Sequence, residues 1–168
     1  MGIPRHLAAA LGVLLSPAAM HAQATPTDSA PNVRIQSFSV IVPDYDEAKR
    51  WYEDRLGFAT ITDQKFGAGE RFVLVGPPGQ RDVGIVLQIA RRPAGGDSTM
   101  PSDYSDRIGK TVNVVLRTSD VTAYANRLRA RGVTLTTPPT QRSWGGEAGF
   151  KDLYGNTYVI VGPLNARR

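Results

Sequence analysis

Imidazole and thiolate, the side-chain groups that most often bind transition metals, are scarce in this chain. The 168 residues contain no cysteine and two histidines, His6 and His21. Both histidines fall within an N-terminal stretch that has the features of a cleaved leader. If this leader is removed, the remaining protein has no imidazole or thiolate that could bind zinc, nickel or iron. The sequence therefore argues against transition-metal chemistry in the working protein.

Nucleophilic catalysis has equally little support. Ser37 and Ser39 lie on a predicted strand, but a serine nucleophile needs a neighbouring base, which without histidine would be a lysine or a carboxylate. No lysine outside the leader has a serine at a spacing that would suggest such a pair. The adjacent acids Asp44 and Asp46 are explained by helix capping and turn formation. Catalytic residues are therefore not identified by the sequence.

Residues 1–24 have the pattern of a secretory signal peptide. Arg5 precedes the apolar run Leu7–Leu15, and the stretch ends in the small-residue site Ala22-Gln23-Ala24. The run is shorter than the ~20 residues that span a bilayer and is interrupted by Pro17, which disfavours a membrane anchor. We therefore predict cleavage after Ala24 and a secreted or periplasmic protein with no stable membrane anchor.

Residues 25–168 are long enough for one domain with its own hydrophobic core. No disulfide can brace this domain, so burial of apolar side chains must stabilise it. The whole chain carries 20 basic and 15 acidic residues, a formal charge of +5. Its arginines are scattered among acids instead of clustering on one face with aromatic residues between them. We therefore expect no nucleic-acid partner.

One pattern of predicted elements occurs twice. Strands Ile35–Val42 and Thr111–Thr118 each lead to an aspartate, Asp44 or Asp120, that is placed to cap a helix. Each helix is followed by glycine, which favours a left-handed end. Three short strands then follow in each copy: 58–62, 71–75 and 83–90, and then 133–136, 146–151 and 157–161. The order βαβββ repeated in this way predicts an α+β fold.

The repeat also sets the expected boundaries. After the leader, residues 25–32 form a flexible N-terminal segment, and the folded domain covers residues 33–162. Within that domain, the first module spans 33–90, a polar linker spans 91–109 and the second module spans 110–162. Residues 163–168 form a tail.

Each module has one apolar sheet face for its helix, and its other face, here called the second face, is mixed in character. In the leading strands the second face carries Ser37, Ser39 and Ile41, and then Asn113, Val115 and Arg117. An ordinary solvent-exposed face of an antiparallel sheet would also be mixed. Because both modules show the mixture at matching positions, the pattern favours a ligand cleft.

Two sequence motifs carry a family resemblance. The first runs Asp44-x-x-x-Ala48-x-x-Trp51-Tyr52-x-x-x-Leu56-Gly57-Phe58, and the second runs from Leu128-x-x-Arg131-Gly132-Val133 through Pro138-Pro139 and Trp144-Gly145 to Phe150-Lys151-Asp152-Leu153-Tyr154-Gly155-Asn156. Together they resemble the vicinal oxygen chelate superfamily, also called the glyoxalase/bleomycin-resistance/dioxygenase family, except that Leu153 replaces the usual proline. The resemblance implies two βαβββ modules that form a curved mixed sheet around a cleft with the helices outside, and often a homodimer.

The resemblance also marks the positions that would hold a metal ion. Members that bind a divalent ion use His and Glu on the first and last strands of each module, with the first ligand seven residues before the capping aspartate. These positions are Ser37 and Asn113, followed by Val159 and a residue at or near Gln88. Valine binds no metal, and the others are neutral donors suited at most to a weak, water-rich site for a hard divalent ion. The resemblance therefore implies a member without a cofactor, similar to those that sequester small molecules.

We expect seven side chains to contact a small-molecule ligand in the cleft. They are Ser37, Arg71, Gln88, Asn113, Arg117, Trp144 and Tyr158. The hydroxyl and amide groups would hydrogen-bond a polar ligand, and the two arginines would bind a carboxylate or phosphate, or else extend along a sheet edge. Trp144 would cover an apolar ligand or pack against its hairpin. Tyr158 neighbours Val159, although strand alternation points it to the opposite face.

Three functions remain open. The first is a metal-independent small-molecule binding protein of the glyoxalase/bleomycin-resistance type. The second is an enzyme of the lyase, isomerase or dioxygenase type that has an atypical metal site or none. The third is a subunit or interaction module, since these folds commonly pair. The sequence does not identify the ligand.

Overall fold

The structure, a computed structural model, describes residues 34–66, 71–92, 102–110 and 113–166. The predicted leader, the segment 25–32 and residues 93–101 of the linker lie outside these ranges, and the predictions made for them stay predictions. Within the described residues no helix is long and apolar enough to cross a membrane.

The described residues contain the predicted repeat of βαβββ units, which confirms the α+β class. The first module consists of β1 (Ser37–Val42), α1 (Tyr45–Trp51), β2 (Ala59–Lys65), β3 (Arg71–Gly76) and β4 (Gly84–Ile89). The second module consists of β5 (Asn113–Arg117), α2 (Val121–Ala130), β6 (Leu135–Arg142), β7 (Gly145–Lys151) and β8 (Thr157–Gly162). A short 3-10 turn, Ser105–Arg107, lies in the linker.

Each module forms its own four-stranded mixed sheet. Sheet one has the order β1-β4-β3-β2 and sheet two the order β5-β8-β7-β6. The leading and last strands of each module are parallel, and the remaining neighbours are antiparallel. Phe38 on β1 pairs with Ile85, and Val114 on β5 pairs with Tyr158. The two sheets are therefore equivalent strand by strand, so residues of one module have counterparts in the other.

Both helices begin at the predicted aspartates. The side chain of Asp44 accepts a hydrogen bond from the amide of Glu47 at 2.7 Å, and Asp120 accepts one from Ala123 at 2.7 Å. These bonds satisfy amides of the first helical turn that have no partner within the helix.

The first helix ends differently from the second. It continues as a π-helical turn, Tyr52–Leu56, to Gly57, whose φ of 72° is left-handed. One residue more separates Asp44 from Gly57 than separates Asp120 from Gly132. The wider π turn takes up this extra residue, so the stop at glycine is kept in both modules.

Strand β6 is longer than the sequence pattern predicted. The expected strand 133–136 is observed as Leu135–Arg142, which includes Pro138 and Pro139. Proline donates no hydrogen bond and is tolerated on edge strands and at bulges. Because β6 is the edge strand of sheet two and its register is irregular between Leu135 and Thr140, both prolines fit.

The main hydrophobic cluster of the described residues joins the two modules. Tyr52, Ala125 and Leu128 from the helical segments are each at most 1% exposed. The strand residues that pack against them are Val40, Val42, Val73, Val75, Ile85, Leu87, Val114, Ala148, Phe150, Tyr158 and Ile160. Burying an aliphatic or aromatic side chain of this size contributes roughly 1.5–3 kcal/mol. Tyr52 of the first motif is thus a core residue, and Trp51 packs partly buried against it.

A buried polar network crosses between the modules within this core. The hydroxyl of Tyr52 donates to Oδ2 of Asp152 at 2.8 Å and lies 2.7 Å from the hydroxyl of Tyr158. The amide side chain of Asn156 donates to the same carboxylate at 2.8 Å. Burial, together with the neighbouring Tyr158 and Asp152, raises the pKa of Tyr52 well above its ordinary value. The tyrosine therefore remains a neutral donor that fixes the π turn after helix α1 to the turn before β8.

Candidate functional site

The second face of sheet two is open to solvent. Asn113, Val115 and Arg117 on β5 are exposed, and they pair with Thr157, Val159 and Val161 on β8. The side chain of Val115 is 63% exposed although it is apolar. Together with the partly exposed Val159 and Val161 on the neighbouring strand it forms an apolar patch, and such a patch is suited to a ligand or a partner.

A cavity of about 640 Å³ lies at the end of this face. Its walls are Arg117, Gln141, Trp144, Gly145, Val161, Gly162, Pro163, Leu164 and Asn165. We call it the second-face cavity. Trp144, in the turn between β6 and β7, is 58% exposed. The structure thus brings together two of the seven predicted ligand contacts, a guanidinium and an indole.

The predicted contacts of sheet one lie elsewhere. Ser37 and Gln88 occupy its second face, where Gln88 pairs with Ile41 at the far end of β1. Ile41 is only 3% exposed because Ala90 and Tyr104 cover it. The linker therefore closes part of this face.

Asn113 is also separate from the second-face cavity. It lies four residues before Arg117 on β5, or about 13 Å along the strand. Ser37, Gln88 and Asn113 are not among the residues that line the second-face cavity.

Strand register identifies the residue of the first module that is equivalent to Val159, the last metal-binding position of the family in the second module. Ser37 pairs with Gly84, and Asn113 pairs with Thr157. Val159 lies two residues beyond Thr157 on the second face, and Val86 lies two residues beyond Gly84 in the same way. The position expected at or near Gln88 is therefore Val86, two residues earlier.

The donor set at these positions does not fit a divalent metal ion. It consists of Ser37, Val86, Asn113 and Val159, which are two neutral polar residues and two hydrocarbons. A bound divalent ion needs several oxygen, nitrogen or sulfur donors and compensation of its charge. The described residues also contain no cluster of three or more His, Cys, Asp or Glu side chains.

Arg71 lies on the helix side of sheet one, so its predicted contact with a cleft ligand is corrected. Its guanidinium bonds Asp63 at 2.7 Å and Asp46 at 2.9 Å, and it stacks over the ring of Tyr45. Alternation explains the position, because Arg71 points to the same side as the buried Val73. It joins helix α1 to the β2–β3 hairpin.

Tyr158 is also on the core side of its sheet. It is fully buried, stacks on Phe150 with 4.9 Å between ring centroids, and contacts the hydroxyl of Tyr52. Burial is the largest cause that raises the pKa of Tyr158. It cannot reach a ligand on the second face, as strand alternation indicated.

Glu147 on β7 is a second-face residue that the sequence reasoning missed. It pairs with Val161, and its carboxylate accepts a bond from Arg142 at 3.2 Å. Alternation along the predicted strand 146–151 could have identified it. Arg142 is paired with Glu147, whereas Arg117 has no ion pair among the described residues. The exposed Lys151 on β7 is a second cation on this face without an ion pair there.

Comparisons with known proteins agree with the fold described above. The family model of the Glyoxalase/Bleomycin resistance protein/Dioxygenase superfamily matches residues 34–160. An uncharacterized protein of Shewanella frigidimarina (strain NCIMB 400) is 33% identical over 128 residues, which are 76% of this chain and 91% of the relative.

Two solved structures extend this similarity. UcmS2 is 31% identical with a TM-score of 0.66 and is matched over 78% of this chain and 98% of its own. TnmS3, an antibiotic binding protein from Streptomyces sp. CB03234, is 33% identical with a TM-score of 0.59 and is matched over 79% and 97%.

Proposed function

Because this chain belongs to the Glyoxalase/Bleomycin resistance protein/Dioxygenase superfamily, we propose that it is a metal-independent protein that binds a small organic molecule. The ligand lies on the second face of sheet two, with Arg117 and Trp144 as its main contacts. The proposal includes export of the chain and no cofactor.

One observation carries this proposal. The four positions that would chelate a metal hold Ser37, Val86, Asn113 and Val159. The second face of sheet two presents a guanidinium without an ion pair, that of Arg117, and the exposed indole of Trp144 in one cavity. An apolar surface with a few polar groups is the usual composition of a small-molecule site. An arginine without a partner favours a ligand that carries a carboxylate, phenolate or similar anion. Similarity to TnmS3, an antibiotic binding protein, supports an organic ligand.

We further propose that two copies of the chain complete the cleft. The exposed Val115 and Trp144 leave apolar surface that a second copy would bury. Analytical ultracentrifugation should show a dimer, and Val115→Glu should weaken it because a charge would be buried. The matched variant Ala123→Glu adds the same charge on the exposed side of α2 and should not. A monomer at all concentrations would exclude a cleft of this kind.

The binding function is tested by thermal-shift screening of organic compounds in the presence of EDTA. Compounds that raise the Tm should bind about tenfold more weakly to Trp144→Ala and Arg117→Ala, because each variant removes a contact worth roughly 1–2 kcal/mol. Arg50→Ala, an exposed arginine on α1, is the matched control and should bind normally.

Dependence on a metal would contradict the proposal. If stabilising compounds act only after Mn, Fe, Ni or Zn is added, or if the protein turns over a dicarbonyl or catechol-like substrate with such a metal, the enzymatic alternative is correct. Equal loss of binding in Arg50→Ala and Arg117→Ala would show that the second-face cavity is not the site.

A further inference from the structure

A second cavity, of about 520 Å³, lies between the modules, where the start of β1 and β4 meets the end of β5. We call it the inter-module groove. Its apolar lining includes Phe38, Leu56, Ile85, Val115 and Leu116. Its volume falls within the range of about 300–1,000 Å³ that is typical of small-molecule sites. It lies mainly on the helix side of the sheets and shares only Arg117 with the second-face cavity.

The modules also meet at a second, equivalent junction, and there buried side chains occupy the space that is open in the groove. Phe38 pairs with Ile85 in the first module, and Val114 pairs with Tyr158 in the second module. Tyr158 therefore occupies the position in the second module that Ile85 occupies in the groove. Tyr158 and Tyr52 are at most 1% exposed, and the turn that precedes β8 contributes the buried Asp152. In the groove the corresponding turn before β4 contributes Pro77, Pro78 and Gln80. The smaller side chains leave open the space that the aromatic and carboxylate groups occupy at the other junction.

The charge around the groove is positive. Arg117 and Arg127 belong to its lining, which contains no aspartate or glutamate. Neither arginine makes an ion pair within the described residues. A third guanidinium, that of Arg131, lies so close to Gly57 that a Cβ there would collide with it. An anion at this position would therefore meet two unpaired guanidinium groups with a third nearby.

We propose that the inter-module groove is a second binding site, which takes an organic anion with an apolar body. Its acidic group lies between Arg117 and Arg127, and its hydrocarbon or aromatic part covers Phe38, Ile85 and Leu116. Arginine binds carboxylates and sulfonates by charge-assisted hydrogen bonds. The apolar floor adds roughly 25 cal/mol for each Å² of hydrocarbon that it removes from water. This site shares Arg117 with the proposed second-face site, and its other lining residues are its own.

Decanoate is a suitable probe, with decanol as the uncharged control. Isothermal titration calorimetry should show decanoate binding that falls about tenfold in Arg127→Gln, because one charge-assisted hydrogen bond is lost. Decanol should bind at least about tenfold more weakly than decanoate for the same reason. Arg129→Gln is the matched control: Arg129 is exposed on the same helix, bonds Asn126 and does not line the groove. It should leave binding unchanged.

Trp144→Ala separates the two sites, since Trp144 lines only the second-face cavity. Decanoate affinity should be unchanged in this variant. Four outcomes would overturn the inference: no decanoate binding, equal binding of decanol and decanoate, equal effects of Arg127→Gln and Arg129→Gln, or loss in Trp144→Ala alone.

Discussion

At the scale of single residues, Asp152 is the side chain on which the contact between the modules most depends. Its carboxylate accepts hydrogen bonds from the Tyr52 hydroxyl and from both nitrogens of Asn156. It also accepts one from the amide of Tyr154. Since Asp152 is 6% exposed and Asn156 is fully buried, water cannot replace these bonds.

Replacing this carboxylate should therefore destabilise the fold. We expect Asp152→Ala to lower the free energy of unfolding by about 3 kcal/mol, because several buried donors lose their acceptor at once. Urea denaturation measures the change. Leu153→Ala, at the neighbouring and 43% exposed position, should cost well under half as much. Similar losses in the two variants would show that the network contributes little.

Asp63 should make part of the stability depend on pH. Its pKa lies well below the ordinary value because Arg71 first, and then Lys49, hydrogen-bond the carboxylate. The folded state therefore favours the ionised form. This contribution is present above the unfolded pKa of about 4 and is lost as the pH falls through the lower, folded value.

The comparison of wild type with Asp63→Asn tests this dependence. Near neutral pH the variant should unfold at a lower urea concentration, because it cannot attract the two cations. The difference should shrink steadily below about pH 4. A difference that stays constant from neutral to acid pH would mean that ionisation of Asp63 does not stabilise the fold.

Residue positions could be predicted from the sequence only as far as strand alternation was applied. Ser37, Asn113 and Arg117 were placed on the second face correctly because their strands alternate regularly. Arg71 was misplaced because its charge suggested a ligand, although Val73 and Val75 place it on the helix side. The pairing of Tyr52 with Asp152 spans 100 positions, and no local pattern indicates it.

At the scale of elements, the two helices begin alike but are anchored differently. Asp44 caps α1 through one amide, that of Glu47. Asp120 caps α2 through Ala123 and also accepts the amide of Ala166 at 2.8 Å. The segment after β8 adds the carbonyls of Pro163 and Leu164, which accept from the first amides of α2. The end of the described chain is thereby attached to the start of this helix.

Loss of the Asp120 cap should therefore destabilise the fold more than loss of the Asp44 cap. We expect Asp120→Ala to lower the Tm by roughly 3–6 °C and Asp44→Ala to lower it less, since an N-cap is the main loss in each and Asp120 also binds the tail. Differential scanning calorimetry of the two variants measures the contrast. A larger effect at Asp44 would mean that the bond to Ala166 adds nothing.

Elements with a strong local signal were predictable, and the others were not. Capping aspartates and terminal glycines located both helices. The π turn after Trp51 comes from one extra residue that only the comparison of the modules reveals. The predicted strand 133–136 ends before Pro138 and Pro139, because prolines are normally excluded from the interior of a sheet. They are tolerated here because β6 is an edge strand, and this position is known only once the sheet order is known.

At the scale of the whole molecule, two equivalent modules enclose one core but leave two unequal junctions. One junction contains Tyr52, Asp152 and Tyr158, while the other is the open inter-module groove. Both modules carry valine at the equivalent positions on their last strands, Val86 and Val159. The sequence indicated the fold and the missing ligand set, but the unequal junctions depend on packing between distant residues.

The central claim is that this chelating fold works without a metal. Elemental analysis of the purified protein, combined with calorimetry before and after EDTA, tests it most directly. We predict less than about 0.1 transition-metal ion per chain and an unchanged Tm, because no described position offers an anionic or imidazole ligand set. About one tightly held ion per chain or per dimer, with a Tm that falls when EDTA removes it, would contradict the account.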